Sequence, residues 1–270
     1  MSLFPSESAQ LIAVASGKGG VGKTNASVNL AVALAAAGER TLLLDCDMGL
    51  ANAGILLGLD ASWTIGDVLA GHCALDDLIV TGPKGLHFAP GHSGTGSGST
   101  LSALERGRLL AALAPHRARY HRIVIDTGGG IDANALALIA QADTPLIVIA
   151  PEPTSFVDAY ALVKALATGH GVARFRILTN MVAHDSAGRD LFDQFRHVVA
   201  RFLDVALDHA GSIPADPYVR EAVLRKRCVV DAFPSSPSAK AFTRLAERFA
   251  RSRAAPARAL CLMGEGHGAH

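Results

Sequence analysis

The stretch SGKGGVGKTN, Ser16 to Asn25, limits the possible folds more than any other part of the chain. Gly17, Gly19, Gly20 and Gly22 precede Lys23 and Thr24, giving the phosphate-loop spacing of Gly, four residues, Gly, Lys and a hydroxyl residue. Glycines let successive N–H groups converge on an anion with no Cβ in the way. The lysine can then reach β- and γ-phosphates, and the hydroxyl can ligate Mg²⁺. Upstream, the apolar run Leu11–Ala15 reads as a buried strand. Downstream, Lys23–Ala37 suits a helix packed on a sheet, closed by Gly38. Strand, glycine loop and helix together aim a helix N-terminus at a phosphate. The expected fold class is α/β, a doubly wound and mostly parallel sheet flanked by helices, with nucleotide at the strand C-termini.

Two further strands run into acids. RTLLLDCD leads from Thr41–Leu44 into Asp45 and Asp47, and HRIVIDTGGG leads from Arg122–Ile125 into Asp126. Carboxylates at such strand ends are where Mg²⁺ and an attacking water must be managed. A solvated turn is the plainer alternative for the first pair, but two acids directly after a leucine run favour a site. FRILTNM ends a strand in Asn180, whose amide can both donate to and accept from a purine edge. In APEPTS, Thr154 or Ser155 is expected to cap a helix through Ala167, and Glu152 suits a helix start.

The rest of the chain reads as scaffold. Short helices and a strand at Leu86–Ala89 precede a Gly/Ser-rich loop, Gly91–Thr100. Ser102 and Glu105 form an expected capping box for a helix running toward Arg119. Leu191, Phe192, Phe195, Val198, Val199, Phe202 and Leu203 recur at helical spacing and should pack into the core. The basic run 225–227 reads as the solvated end of a helix. The last helix, Ser238–Arg251, sets Ala241, Phe242, Leu245 and Phe249 beside Lys240, Arg244, Arg248 and Arg251. Such a helix can lie on an anionic membrane or close the fold with its cations in water; closing the fold is the preferred reading. One domain is expected over 11–251, after a short extension at 1–10 and before a tail, 252–270, expected to be disordered.

Composition removes several function classes. The formal net charge is +1, so no global field draws the protein onto nucleic acid. Cys46, Cys73, Cys228 and Cys261 are widely spaced and read as reduced thiols. The scattered histidines lack metal-site spacing. No leader pattern opens the chain, and no apolar run is long enough to span a bilayer, so a cytoplasmic protein is expected.

Lys18, just after the first glycine, makes KGGVGKT resemble the deviant loop of the MinD/ParA ATPases. KTNASVNLAVALA, DMGLANAGILLGL, EPTSFVDAYALVKAL, RFLDVAL and YVREAVLRKRCVVDAFP resemble the FlhG/FleN branch of that family, over almost the whole chain. The resemblance implies a slow Mg²⁺-dependent ATPase, with ATP and Mg²⁺ as cofactors, that dimerises around two ATP molecules. By it, Lys18 crosses to the partner's nucleotide and Asp47 orients the attacking water. Gly19, Gly20, Val21, Gly22, Lys23, Thr24 and Asn25 hold the phosphates. Thr24, Asp45 and Asp126 surround the metal. Asn180, Pro214 and Asp216 lie at the adenine, and Glu152 contacts nucleotide at the dimer face.

Asn52 and Gly130 belong by the same resemblance to the dimer face and to switch II. Relatives usually carry Ala or Pro-Ala in switch II where this chain has Gly128 and Gly129. The implied role is control of flagellar number and placement by binding a AAA+ flagellar transcription activator, alongside an FlhF-type GTPase and with pole or membrane association. Relatives stimulate that GTPase through an N-terminal extension; about ten residues precede the first strand here, so that stimulation is not expected. The alternatives are a MinD/ParA-like positioning ATPase on membrane or DNA, and a nucleotide-gated binding module with negligible hydrolysis. No direct nucleic-acid contact is expected.

Overall fold

The structure, a computed structural model, describes residues 8–47, 52–91 and 101–252. Eight strands form one sheet: β1 (Gln10–Ala15), β2 (Thr41–Cys46), β3 (Val80–Thr81), β4 (His87–Ala89), β5 (Arg122–Thr127), β6 (Thr144–Ile149), β7 (Arg174–Val182) and β8 (Ala206–Pro214). Their order is β3-β4-β2-β5-β1-β6-β7-β8, all parallel except the short edge strand β3. The loop of glycines therefore leaves the sheet near its middle, between β5 and β6. β1, β2, β5 and β6 are buried throughout, as expected of parallel strands covered on both faces.

The helices are α1 (Lys23–Ala36), α2 (Ala53–Leu57), α3 (Ile65–Ala70), α4 (Leu75–Leu78), α5 (Ala103–Leu113), α6 (Ala133–Ala140), α7 (Pro153–His170), α8 (Asp185–Ala200), α9 (Pro217–Leu224), α10 (Val229–Ala232) and α11 (Pro237–Arg251). Alternate side chains of β1 enter different cores. Ile12 and Val14 join α1, α10 and α11, whereas Leu11, Ala13 and Ala15 join α5 to α8. Two hydrophobic layers thus clamp the central strands, so the loop after β1 rests on a rigid base.

Several local expectations need correction. The α7 cap is neither Thr154 nor Ser155: Glu152 occupies the N-cap position and Pro153 the first helical one, where its missing N–H is no loss. Ser155 instead accepts a hydrogen bond from the Ala150 amide at 3.0 Å. The Ser102–Glu105 capping box forms, but α5 ends at Leu113 and a 3₁₀ turn replaces its continuation to Arg119. Phe202 lies beyond the end of α8 and is 70% exposed, packing edge-on against Tyr160 rather than into the core. Residues 225–227 follow α9 rather than ending it, with Lys226 at φ 52°.

α11 closes the fold. Phe242, Leu245, Ala246 and Phe249 are buried, and Arg122 donates to the Phe249 carbonyl at 2.9 Å, satisfying the helix's C-terminal end. Cys46, Cys73 and Cys228 are free thiols. No helix among the described residues is long and apolar enough to cross a membrane. The Gly/Ser-rich loop from residue 92 to 100 and the tail from residue 253 lie outside the described residues.

Candidate functional site

The glycine loop is held from three sides. Ser16 Oγ donates to the Lys18 carbonyl at 2.8 Å, closing its first turn. A Cβ on Gly17 would stand 2.2 Å from the Asp158 carbonyl in the backbone of α7, so this glycine is required by helix packing. Gly22, at φ 84°, takes the N-cap position of α1, and a Cβ there would meet the Asn180 amide nitrogen at 2.4 Å. Asn180 Nδ2 itself donates to the Val21 carbonyl at 2.8 Å. The amide expected at the base therefore fixes the far end of the phosphate loop.

Below the loop the charges are paired tightly. Lys23 is buried, with Nζ 2.8 Å from Asp126 Oδ1 and 3.8 Å from Asp47 Oδ2. Ser27, one turn further along α1 and fully buried, has its one hydroxyl proton within reach of the same Asp126 oxygen at 2.8 Å, the shorter contact, and of the Lys23 carbonyl at 3.1 Å. Asp126 Oδ2 is buried and has no hydrogen-bond partner among the described residues. That orphaned carboxylate oxygen and the Thr24 hydroxyl, which lies 3.5 Å from Lys23 Nζ, are hard-oxygen donors of the kind Mg²⁺ takes together with substrate phosphates, both on residues that contact Lys23.

Asp45, expected near the metal, also has work within the protein. It faces Asp126 across the β2–β5 register, but its two oxygens accept the Asp47 amide (3.1 Å) and the Ala53 amide (3.1 Å). It thus ties down both ends of the segment from 47 to 53. Burial, reinforced by the neighbouring Asp126 charge, pushes its pKa up to about 7. Asp47 stands a quarter exposed at the mouth, and Asn52 is exposed at the start of α2.

On the other rim, the Gly130 amide donates to the Ser16 carbonyl at 2.9 Å, joining the turn after β5 to the glycine loop. A Cβ on Gly129 would lie 3.5 Å from the Gly19 nitrogen and one on Gly128 would lie 3.8 Å from Asp132, both ordinary contacts. Space does not require glycine at either place.

Lys18 lies at the outer edge of the loop. Its Nζ donates to Glu152 Oε2 and to Thr154 Oγ1, each at 2.8 Å, so the structure brings together two residues far apart in the chain. Asn25 is linked through Asn29, whose Oδ1 in turn accepts the Val230 amide of α10. Pro214 ends β8. Both oxygens of Asp216 are occupied within the protein, one capping α9 at Tyr218 and the other receiving the Ser238 amide and hydroxyl. Burial raises the Asp216 pKa, but these hydrogen bonds outweigh it and hold the carboxyl below its ordinary value.

Two residues escape a sequence reading. Ser27 could have been suspected from its place four residues after Lys23, on the same helix face. Met181, at φ 57° and 43% exposed, puts its methyl group over Gly22; only its position next to Asn180 hints at that.

The AAA domain family model matches residues 9–170. The antiactivator FleN of Pseudomonas aeruginosa is 46% identical over 239 residues, covering 88% of this chain and 85% of the relative. The flagellum site-determining protein YlxH of Helicobacter pylori is 33% identical, covering 84% and 79%. Among solved structures, the cell division ATPase MinD of Pyrococcus furiosus superposes with a TM-score of 0.75 at 25% identity, covering 90% of this chain and all but 1% of its own. MinD of Pyrococcus horikoshii, complexed with Mg-ADP, gives 0.74 at the same identity.

Proposed function

The chain belongs to the MinD/ParA-type P-loop ATPases, on their FleN/FlhG branch, and from that premise we propose that it is an ATP-gated dimerising switch controlling flagellar number or placement. The proposed output is restraint of a AAA+ flagellar transcription activator, bound differently in the ATP and ADP states. The proposed place of action is the cytoplasm. The names of two relatives, an antiactivator and a flagellum site-determining protein, support that direction.

The observation that carries the reading is the position of Lys18. Lys23 already serves the interior of the loop, where it is buried against Asp126. Lys18 is a second cation on the same loop, 30% exposed and held at the rim by Glu152 and Thr154. A lysine so placed is available to a phosphate presented by a second copy, in the manner of a charge supplied in trans. Triphosphate binding would transfer Lys23 from Asp126 to the β- and γ-phosphates, with Gly19 to Asn25 wrapping the chain of oxygens. Thr24 and Asp126 are the residues that would hold Mg²⁺, which supplies charge neutralisation on the phosphates. Asp47, at the mouth, is placed to orient water, and Asp45 holds the segment carrying Asp47. Asn180 would read the base edge.

Size-exclusion chromatography with ATP, with ADP and without nucleotide, repeated with a AAA+ activator, tests the reading. The wild-type chain should dimerise with ATP alone among these. Lys18→Ala should still bind nucleotide as a monomer but lose the dimer; a normal ATP dimer in that variant would remove the trans role. A second reading, a nucleotide-gated binding module with negligible hydrolysis, draws on Gly128 and Gly129. Phosphate release measured in the presence of the partner separates the two.

A further inference from the structure

β8 ends the sheet and pairs only with β7, so its outer edge has no strand partner among the described residues. A long strand with a free edge is a template for another chain, and proteins usually cover or charge it. Here the edge lies at the floor of a cleft between α8 and α11. Two contiguous cavities, of about 390 and 290 Å³, share Asp185, Ser212 and Arg244 and continue along β8 from Pro214 to His209.

One wall of that cleft is a row of cations one helical turn apart along α11. Arg248 lines it beside Ala210, whose carbonyl accepts its Nη1 at 2.9 Å. Arg244 stands beside Ser212 in both cavities, and Lys240 lies with Pro214 in the outer one. Four residues of helix advance about 6 Å, and two residues of strand advance about 6.6 Å. β8 itself is irregular here, with register shifts on both sides of Gly211 and Ser212, so the regular spacing along this wall, about 6 Å, is that of the helix rungs 248, 244 and 240. Lys240 and Arg244 have no ion pair among the described residues. Asp185, the carboxylate lining both cavities, is already paired with Arg189.

An acidic segment in extended conformation fits this surface in two ways at once. Its backbone can hydrogen-bond to the edge of β8, and carboxylates at alternate positions recur at the spacing of the cation row. We propose that the cleft between α8 and α11 is a docking site for an extended acidic segment of a partner protein, added as a strand beside β8 with acids at every second residue. The apolar stripe of α11 is buried in the core, so it offers a membrane no face to insert. A single short row of three exposed cations is also a poor match to the long phosphate rows of duplex DNA. β8 stands three strands from β1; Pro214, at the outer end of the cleft, is also the residue expected near the adenine, but the docking proposal does not depend on the switch reading above.

The probe is a fluorescein-labelled nine-residue peptide alternating Glu and Thr, titrated with the full chain and followed by anisotropy. A peptide of the same composition with its glutamates contiguous should bind about tenfold more weakly, and N-methylation of alternate threonines should have a similar effect. Arg244→Glu, and its combination with Lys240→Glu, should each lower affinity by about tenfold or more while nucleotide binding stays unchanged. Arg244→Gln, with a melting curve matching wild type, serves if the charge reversal destabilises the fold. Equal affinity for the two peptides, no loss in the Arg244 variants, or preferred binding of duplex DNA or anionic vesicles would overturn the proposal.

Discussion

Replacing Ser27 with Ala gives the sharpest test of how the site is built. Ser27 Oγ is fully buried and donates its one proton to Asp126 Oδ1 at 2.8 Å, with the Lys23 carbonyl at 3.1 Å as the competing acceptor. A bond to a charged acceptor contributes about 1.5–3 kcal/mol, and the alanine leaves almost no cavity. In the nucleotide-free protein, Lys23 remains on the same Asp126 oxygen and limits the damage. The loss should therefore fall near the lower figure, a fall in Tm of about 3–6 °C for a domain of this size. Once Lys23 moves to a phosphate, Ser27 is the remaining side-chain donor to that oxygen. The cost to bound ATP·Mg²⁺ should then approach the upper figure, about a tenfold to hundredfold weaker Kd by calorimetry. Binding measured with EDTA in place of Mg²⁺ should weaken much less. Equal weakening with and without Mg²⁺ would refute the claim that Ser27 positions the carboxylate.

Other perturbations follow from the same geometry. Gly17→Ala should lower stability by about 1–3 kcal/mol, because its methyl group meets α7 backbone rather than a flexible side chain; a chemical denaturation midpoint equal to wild type would contradict this. The Asp45 pKa is raised to about 7 by burial and by Asp126, so the folded state holds a proton that the unfolded state has released. Stability contributed there is present in full below the ordinary aspartate range near pH 4 and is lost as pH rises toward 7, on the order of 4 kcal/mol. Asp45→Asn should flatten the slope of stability against pH in that window, and an unchanged slope would assign it elsewhere. The double substitution Gly128→Ala, Gly129→Ala fits the space and removes about 1–2 kcal/mol of ordering entropy, so phosphate release should rise severalfold; a fall would show that the glycines are needed.

The sequence was most informative where chemistry is local along the chain. The glycine loop, the acids after β2 and β5, and the Ser102–Glu105 box are runs of neighbours whose spacing already contains the geometry. Contacts between distant segments were not legible. Nothing near Gly17 announces α7, and nothing in FRILTNM tells that Asn180 reaches back to Val21. Ser155 carries good capping chemistry, but tertiary structure gives its hydroxyl to Ala150 while Pro153 starts the helix. Phe202 continues a helical period past the point where the helix stops, so periodicity alone misplaced it. The basic stripe of α11 left two readings open because amphipathicity does not say what covers the apolar side; the buried Phe242 and Phe249 decide it.

The same long-range contacts explain how one bound group could be sensed on both rims of the site. Asp45 and Asp126 stand at equal height on neighbouring strands, each next to or one strand from β1. Asp45 grips the backbone at 47 and 53, while the strand of Asp126 runs on to Gly130, which is bonded to Ser16 at the start of the glycine loop. Lys23 touches Asp126 and approaches Asp47, so it is shared by both arms. Drawing that single cation onto a phosphate alters the charge balance of both carboxylates together. The strands beneath are fully buried, so under the proposed switch a response would be expected at the backbone of Asp47, Ala53 and Gly130 rather than in the sheet. Lys18 is outside this arrangement, tied to Glu152 and Thr154 on α7. Under the proposed dimer its release would depend on what approaches from outside, separating sensing of the nucleotide within one copy from recognition of a second copy.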